Sequence, residues 1–242
     1  MDGVTMYRGT RERTVALGRS LTDEQGALVV PATPAWTVKD NFAHLAGAAA
    51  DVLAGRLEGV ATDPWTAAQV DARRDRTLQQ VVDEFEALGP AIDALVEELG
   101  EAVDPRLFID EWTHEQDIRG AVGVPGGADS PVVGWAAPRT ADSWVRRVAR
   151  AGLPPLVVDL EGVEHRAGTA PPDEAPHEPS DDVPPGEVRL ALDGYTALRV
   201  VVGRRSERQL RALDWSGTDD PGPYLEHLVV FSIAEQDVVD AR

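Results

Sequence analysis

Asp110-Glu111-Trp112-Thr113-His114-Glu115-Gln116-Asp117-Ile118-Arg119 lies between Pro105 and the run Gly123-Val124-Pro125-Gly126-Gly127. Proline suits a first helical turn and glycine a helix end, so one helix is predicted across the stretch. On that helix Leu107, Glu111, His114, Ile118 and Ala121 follow a 4-3-4-3 spacing, which marks the inward seam. Asp110 falls about 60° to one side of the seam, with Asp117 on the same flank. An acid and an imidazole in an apolar seam cost free energy unless their polar atoms are bonded. A divalent cation would satisfy both, and either Asp110 or Glu111 lies close enough to His114 along the helix to share one. Taken alone, such a pair reads more readily as a helix-surface ion pair or a capped core histidine. One imidazole from a neighbouring helix would turn it into a three-ligand site with an open position.

His44 is the candidate for that imidazole. Thr37-Val38-Lys39-Asp40 resembles a capping box with Asp in place of Glu, so a helix is predicted to start there and end near Gly55. Its apolar stripe is Val38, Phe42, Leu45, Ala49 and Val52. Before it, a helix is expected from about Met6 to Leu21, then a turn-rich stretch ending in Pro31-Ala32-Thr33-Pro34-Ala35-Trp36. Another is expected from about Ala67 to Leu99, with a break at Gly89-Pro90. Four helices with short connections imply an antiparallel bundle over residues 1–128.

After Gly127 the pattern changes. A helix is expected from about Val133 to Ala151, followed by short β-branched runs over Pro155–Leu160, Glu187–Leu192 and Ala197–Val202. Ser206-Glu207-Arg208-Gln209 is a second capping box, expected to open a helix to Leu213. An amphipathic helix should follow from about Pro223 to Val239. Residues near 167–185 are acidic and proline-rich and read as a loop. Residues 129–242 thus read as a smaller α+β domain.

Composition narrows the chemistry. The formal charge of −19 over 242 residues argues against nucleic-acid binding, because phosphates would be repelled. Without cysteine the chain has no disulfide, thiolate ligand or thiol nucleophile, so sulfur chemistry would need a thiol from outside. No apolar run approaches the roughly 18 residues that span a bilayer, and the polar start lacks a signal sequence. No membrane association and a cytoplasmic location are the expectations. Arginine dominates the basic residues, Lys39 being the single lysine, as in proteins from high-G+C bacterial genomes. No GxGxxG, P-loop, GxSxG or CxxC occurs.

Two stretches carry a family resemblance. Pro34-Ala35-Trp36-Thr37-Val38-Lys39-Asp40-Asn41-Phe42-Ala43-His44-Leu45-Ala46-Gly47 and the Asp110–Arg119 run, with Ala121-Val122-Gly123, resemble the mycothiol-dependent maleylpyruvate isomerase family. That family has a DinB-like N-terminal bundle, and Gly203-Arg204-Arg205-Ser206 looks like its C-terminal module. The resemblance implies metal ligands at His44, Asp110 and His114. The family usually has Glu where Asp110 stands, and the wheel brings Glu111 nearer the seam, so Glu111 is the alternative ligand. Asp117 could orient His114 from behind.

The resemblance further implies a divalent metal, zinc foremost, and mycothiol as thiol co-substrate. The expected enzyme adds a thiol to a small electrophilic or carboxylate substrate, leading to cis–trans isomerisation or thiol transfer, as a monomer or homodimer. Arg199, Arg204, Arg205 and Arg208 form a basic cluster in sequence. Arg204 and Arg205 are expected to anchor substrate or thiol, and Trp36 and Arg199 to contact the cofactor. The alternatives are a non-enzymatic metal-binding or regulatory protein and a metal-dependent hydrolase, with Glu111 or Glu115 as base. His165, His177 and His227 have no partner at metal spacing.

Overall fold

The computed structural model describes residues 2–167 and 186–242. All but the first residue of the acidic stretch near 167–185, His177 included, lies outside the described residues. The chain divides into two compact units, Met1–Val132 with Val239–Arg242, and Val133–Val238. Among the described residues no helix is long and apolar enough to cross a membrane.

The first unit opens with α1 (Gly3–Ser20), whose first turn is capped by the Asp2 carboxylate accepting from the Thr5 amide. A short α2 (Asp23–Gly26) leads to an antiparallel hairpin of β1 (Val29–Val30) and β2 (Thr33–Thr37). The capping box then opens α3 (Val38–Leu53): Thr37 accepts from the Asp40 amide, while Asp40 accepts from the Thr37 amide. After α4 (Asp63–Asp71) come α5 (Leu78–Leu99), a 3-10 turn at Gly100–Ala102, and α6 (Arg106–Val122). Helix α5 packs against α1 and α3, and α6 packs against the same two, so the four long helices close a bundle. Gly123, at φ 69°, takes the left-handed conformation that ends α6.

The expected break at Gly89-Pro90 is corrected. The interruption falls at 72–77, before a third capping box of Thr77 and Gln80, and α5 runs unbroken through Pro90. An interior proline costs about 3 kcal/mol or more. Phe85, Ile92 and Val96 are fully buried around it, at about 1.5–3 kcal/mol each, which carries the helix through. Gly89 leaves room for Arg11, whose guanidinium would lie 1.8 Å from an added Cβ and which pairs with Asp93.

The second unit combines α7 (Pro131–Arg150), which begins at the boundary, with a four-stranded sheet of order β4-β3-β5-β6. β3 (Leu156–Leu160) pairs parallel with β5 (Val188–Leu192) and antiparallel with β4 (Val163–His165); β5 pairs antiparallel with β6 (Asp214–Ser216). The expected strand Ala197–Val202 is instead helix α8 (Gly194–Val201). Asp193 caps it by accepting from the Thr196 amide at 2.6 Å, and Ala197, Leu198, Val200 and Val201 bury one face. Packing has overridden the β-branched composition.

The capping box at Ser206 opens α9 (Glu207–Arg211). The expected Pro223–Val239 helix is only α10 (Gly222–Leu228). Beyond it the backbone bonds elsewhere: Val230 N–H to the Val201 carbonyl, Ala234 N–H to the Arg205 carbonyl, and Val238 to the Gln209 side chain. The architecture is a helical bundle unit plus an α+β unit.

Candidate metal centre

Helix α6 is not buried along one stripe only. Every residue from Glu111 to Arg119 is buried, whereas Leu107 and Ala121, placed on the seam by the wheel, are half-buried. Asp110 is the step at the lip, its side chain 43% exposed. His44, two turns into α3, is 3% exposed, and His114 is 5% exposed.

These three side chains converge. His44 Nε2 lies 3.4 Å from Asp110 Oδ2, and His114 Nε2 lies 3.6 Å from Asp110 Oδ1. The two imidazole centroids are 4.8 Å apart, and one donor atom from each residue lies within 4.8 Å of the others. Donors about 2.1 Å from a tetrahedral zinc ion stand about 3.4 Å apart; the two acid–imidazole spacings match that value, and the widest spacing of the set would have to close in around the ion.

The far side of each ring is also occupied. His44 Nδ1 lies 2.8 Å from Gln69 Oε1, and Gln69 Nε2 donates to Asp51 at 2.8 Å. His114 Nδ1 lies 2.9 Å from Asn41 Oδ1 and 3.4 Å from Asp117 Oδ2. Trp36, at the end of β2, stands 5.1 Å from the His44 ring and 5.8 Å from the His114 ring. Trp65 on α4 meets the His44 ring edge-on at 6.3 Å, its indole N–H bonded to the Arg56 carbonyl.

Burial holds His114 below the ordinary imidazole range, against the opposing pull of Asp117 and Asp110. Glu111 behaves differently. Burial pushes its carboxyl well above the usual range, against the opposing pull of the Arg11 charge. The Tyr7 phenol beside it is also raised well above its usual range, by burial first and by Glu111 next. The acid nearer the predicted seam is the more buried, but the other one meets the imidazoles. Glu115 is wholly buried and ion-paired with Arg13 and Arg119 at 2.9 and 3.0 Å.

Trp112 is core, with no exposure, and its indole donates to the Gly127 carbonyl. The arginines expected to bind substrate belong to the second unit. Arg199 is fully buried on α8, Arg204 and Arg205 donate to the carbonyls of Val202 and Arg204, and Arg208 pairs with Asp237. They do not form an exposed cluster. His165 pairs with Asp142 at 2.7 Å, and His227 lies 3.7 Å from Glu226. Sequence reasoning missed Gln69, Asn41 and Trp65 as neighbours of the imidazoles. Asn41, three residues before His44, had a signal in its spacing; Gln69 and Trp65 had none.

Residues 6–121 match the family model described as the DinB superfamily. The crystal structure of the mycothiol-dependent maleylpyruvate isomerase is similar over 90% of this chain and 93% of that one, with a TM-score of 0.54 and 15% sequence identity. At that identity the likeness is one of fold. No curated protein matches the sequence. Residues 6–121 are therefore similar to the DinB superfamily, within a chain whose fold is similar to that of the mycothiol-dependent maleylpyruvate isomerase.

Proposed function

We propose that this chain is a divalent-metal enzyme that uses a small thiol, of the mycothiol-dependent maleylpyruvate isomerase type. Its reaction is thiol addition to a small electrophile, leading to cis–trans isomerisation or to thiol transfer. The observation that carries this reading is the convergence of His44, Asp110 and His114 within a DinB-superfamily bundle. Three nitrogen and oxygen donors leave a fourth tetrahedral position open, and zinc suits that set. Such a cation, when bound, lowers the pKa of a thiol and supplies a thiolate near neutral pH.

The chain's own residues supply the rest. His44 and His114 present nitrogen donors from two helices, and burial keeps His114 neutral, with a lone pair to give. Asp110 adds negative charge from a half-open lip, which leaves an approach from solvent. Trp36 and Trp65 place indole faces and edges beside His44 and exclude water there. A chain with no cysteine must take its thiol from outside. Hydrolysis fits less well, because Glu115 is held by two arginines and Glu111 faces Tyr7 rather than the imidazoles.

The test is calorimetric titration of the metal-loaded chain with mycothiol, alongside turnover of maleylpyruvate with and without the thiol. The expected result is saturable, metal-dependent thiol binding and thiol-dependent turnover. Metal binding without thiol binding would point to a non-enzymatic protein, and thiol-independent hydrolysis would overturn the reading.

A further inference from the structure

Each imidazole of the candidate centre has one nitrogen aimed at Asp110 and the other at a side-chain amide. Which atom of each amide faces the ring follows from what stands behind it. Gln69 Nε2 lies 2.8 Å from Asp51 Oδ2, while Asp51 Oδ1 accepts from Arg56 Nε at 2.8 Å. A carboxylate paired with a guanidinium only accepts hydrogen bonds, so the Gln69 NH2 must face Asp51 and its carbonyl oxygen must face His44. An amide oxygen cannot donate; the 2.8 Å contact therefore requires the proton on His44 Nδ1. Asn41 gives the same result. Its NH2 donates to the Thr37 carbonyl at 3.0 Å and to Thr33 Oγ at 3.1 Å, which turns Oδ1 toward His114 Nδ1. Asp117 Oδ2, 3.4 Å from the same nitrogen, is a second acceptor.

We propose that the relay Arg56–Asp51–Gln69, with Asn41 and Asp117 on the other side, fixes both imidazoles in the Nδ1–H form, so that both Nε2 lone pairs face one cation before it arrives. The inference rests on the reading of His44 and His114 as metal ligands. Gly47 supports it independently. A Cβ there would come within 2.4 Å of Gln69 Cβ and 2.6 Å of its Cγ, so glycine one turn beyond His44 is what admits Gln69 to the ring. Free imidazole side chains favour the opposite, Nε2–H form, which would turn a proton toward the cation. Gln69, Asn41 and Asp51 are positioning residues that act through the two histidines.

Long-range nitrogen–proton correlation spectra of the metal-free full chain, at about pH 8 where ordinary imidazoles are neutral, read the tautomers directly. The expected wild-type result is Nδ1–H at both His44 and His114. Gln69→Leu moves His44 alone toward Nε2–H, and zinc affinity, measured against a chromophoric chelator, falls roughly 10–100-fold. Gly47→Ala, which displaces Gln69, shifts both readouts in the same direction. The reciprocal swap of Gln69→Glu with Asp51→Asn keeps an acceptor toward His44 and a donor behind it, and restores both. Arg56, 63% exposed, loses little in that swap. A wild-type spectrum with the His44 proton on Nε2, or a folded Gln69→Leu chain with unchanged tautomer and zinc affinity, would overturn the proposal. Failure of thiol binding would strike the proposed function and leave these readouts standing.

Discussion

Two faces of α6, one residue apart in sequence, handle buried polarity in opposite ways. On one, Asp110 and His114 turn their donor atoms toward His44, and the rings are held from behind by amides. On the other, Glu115 is closed within an ion network with Arg13 and Arg119, and Glu111 lies sealed beside Tyr7. Both faces are costly to bury. The second cancels its cost internally, wholly at Glu115 and in part at Glu111. The first leaves three donors gathered within 4.8 Å of one another, an arrangement that a cation would satisfy. Buried polar residues on one helix are therefore not one class, and the direction of the donor atoms separates a site from a brace.

The contrast breaks most visibly if donors are removed from each face in turn. His114→Ala is expected to abolish metal retention by the purified chain, read by elemental analysis after metal supplementation. Asp110→Ala should lower affinity by at least the roughly 10–100-fold that outer partners are worth, whereas Glu111→Ala leaves it unchanged. If both acid variants keep full metal, the two faces do not differ as described.

Glu115→Ala tests the bracing face. Loss of one partner from a buried ion network costs about 3–5 kcal/mol, so urea unfolding should shift strongly while the folded fraction still binds metal. A stable variant that has lost metal would reverse the assignment.

The smallest effect concerns pH. The Glu111 carboxyl is raised in the folded chain, so its contribution to stability is full below the ordinary carboxylate value of about 4.5 and is lost as pH rises through the raised value. Glu111→Gln should thus melt higher than wild type near neutral pH, with the gain vanishing on acidification. His114 has the opposite sign: its lowered pKa gives stability present above about 6.5 and lost as pH falls through the lowered value. Melting curves of the metal-free chain and both variants, Glu111→Gln and His114→Ala, across this range measure the two slopes.

Much of the bundle was legible because its signals are local. The Thr37–Asp40 and Ser206–Gln209 boxes and the glycine after α6 work through hydrogen bonds or dihedrals within four residues, and the structure places each where expected. The misreadings share the opposite cause. Pro90 stays inside α5, Val200 and Val201 become helical, and the chain after Leu228 leaves the helix because partners far along the sequence outweigh local preference. Periodicity put Glu111 nearer the seam than Asp110, whereas Asp110 is the acid that lies beside the imidazoles.

The sequence by itself determined which residues could donate to a cation, because nitrogen and oxygen at helical spacing on two helices is a local property, and it excluded a thiol from the protein's own side chains. Only the tertiary structure decided which acid faces the imidazoles and which amides stand behind them. Those choices depend on where α3, α4 and α6 approach one another, and Gln69 reaches His44 across 25 positions of chain only because Gly47 has no side chain in the way.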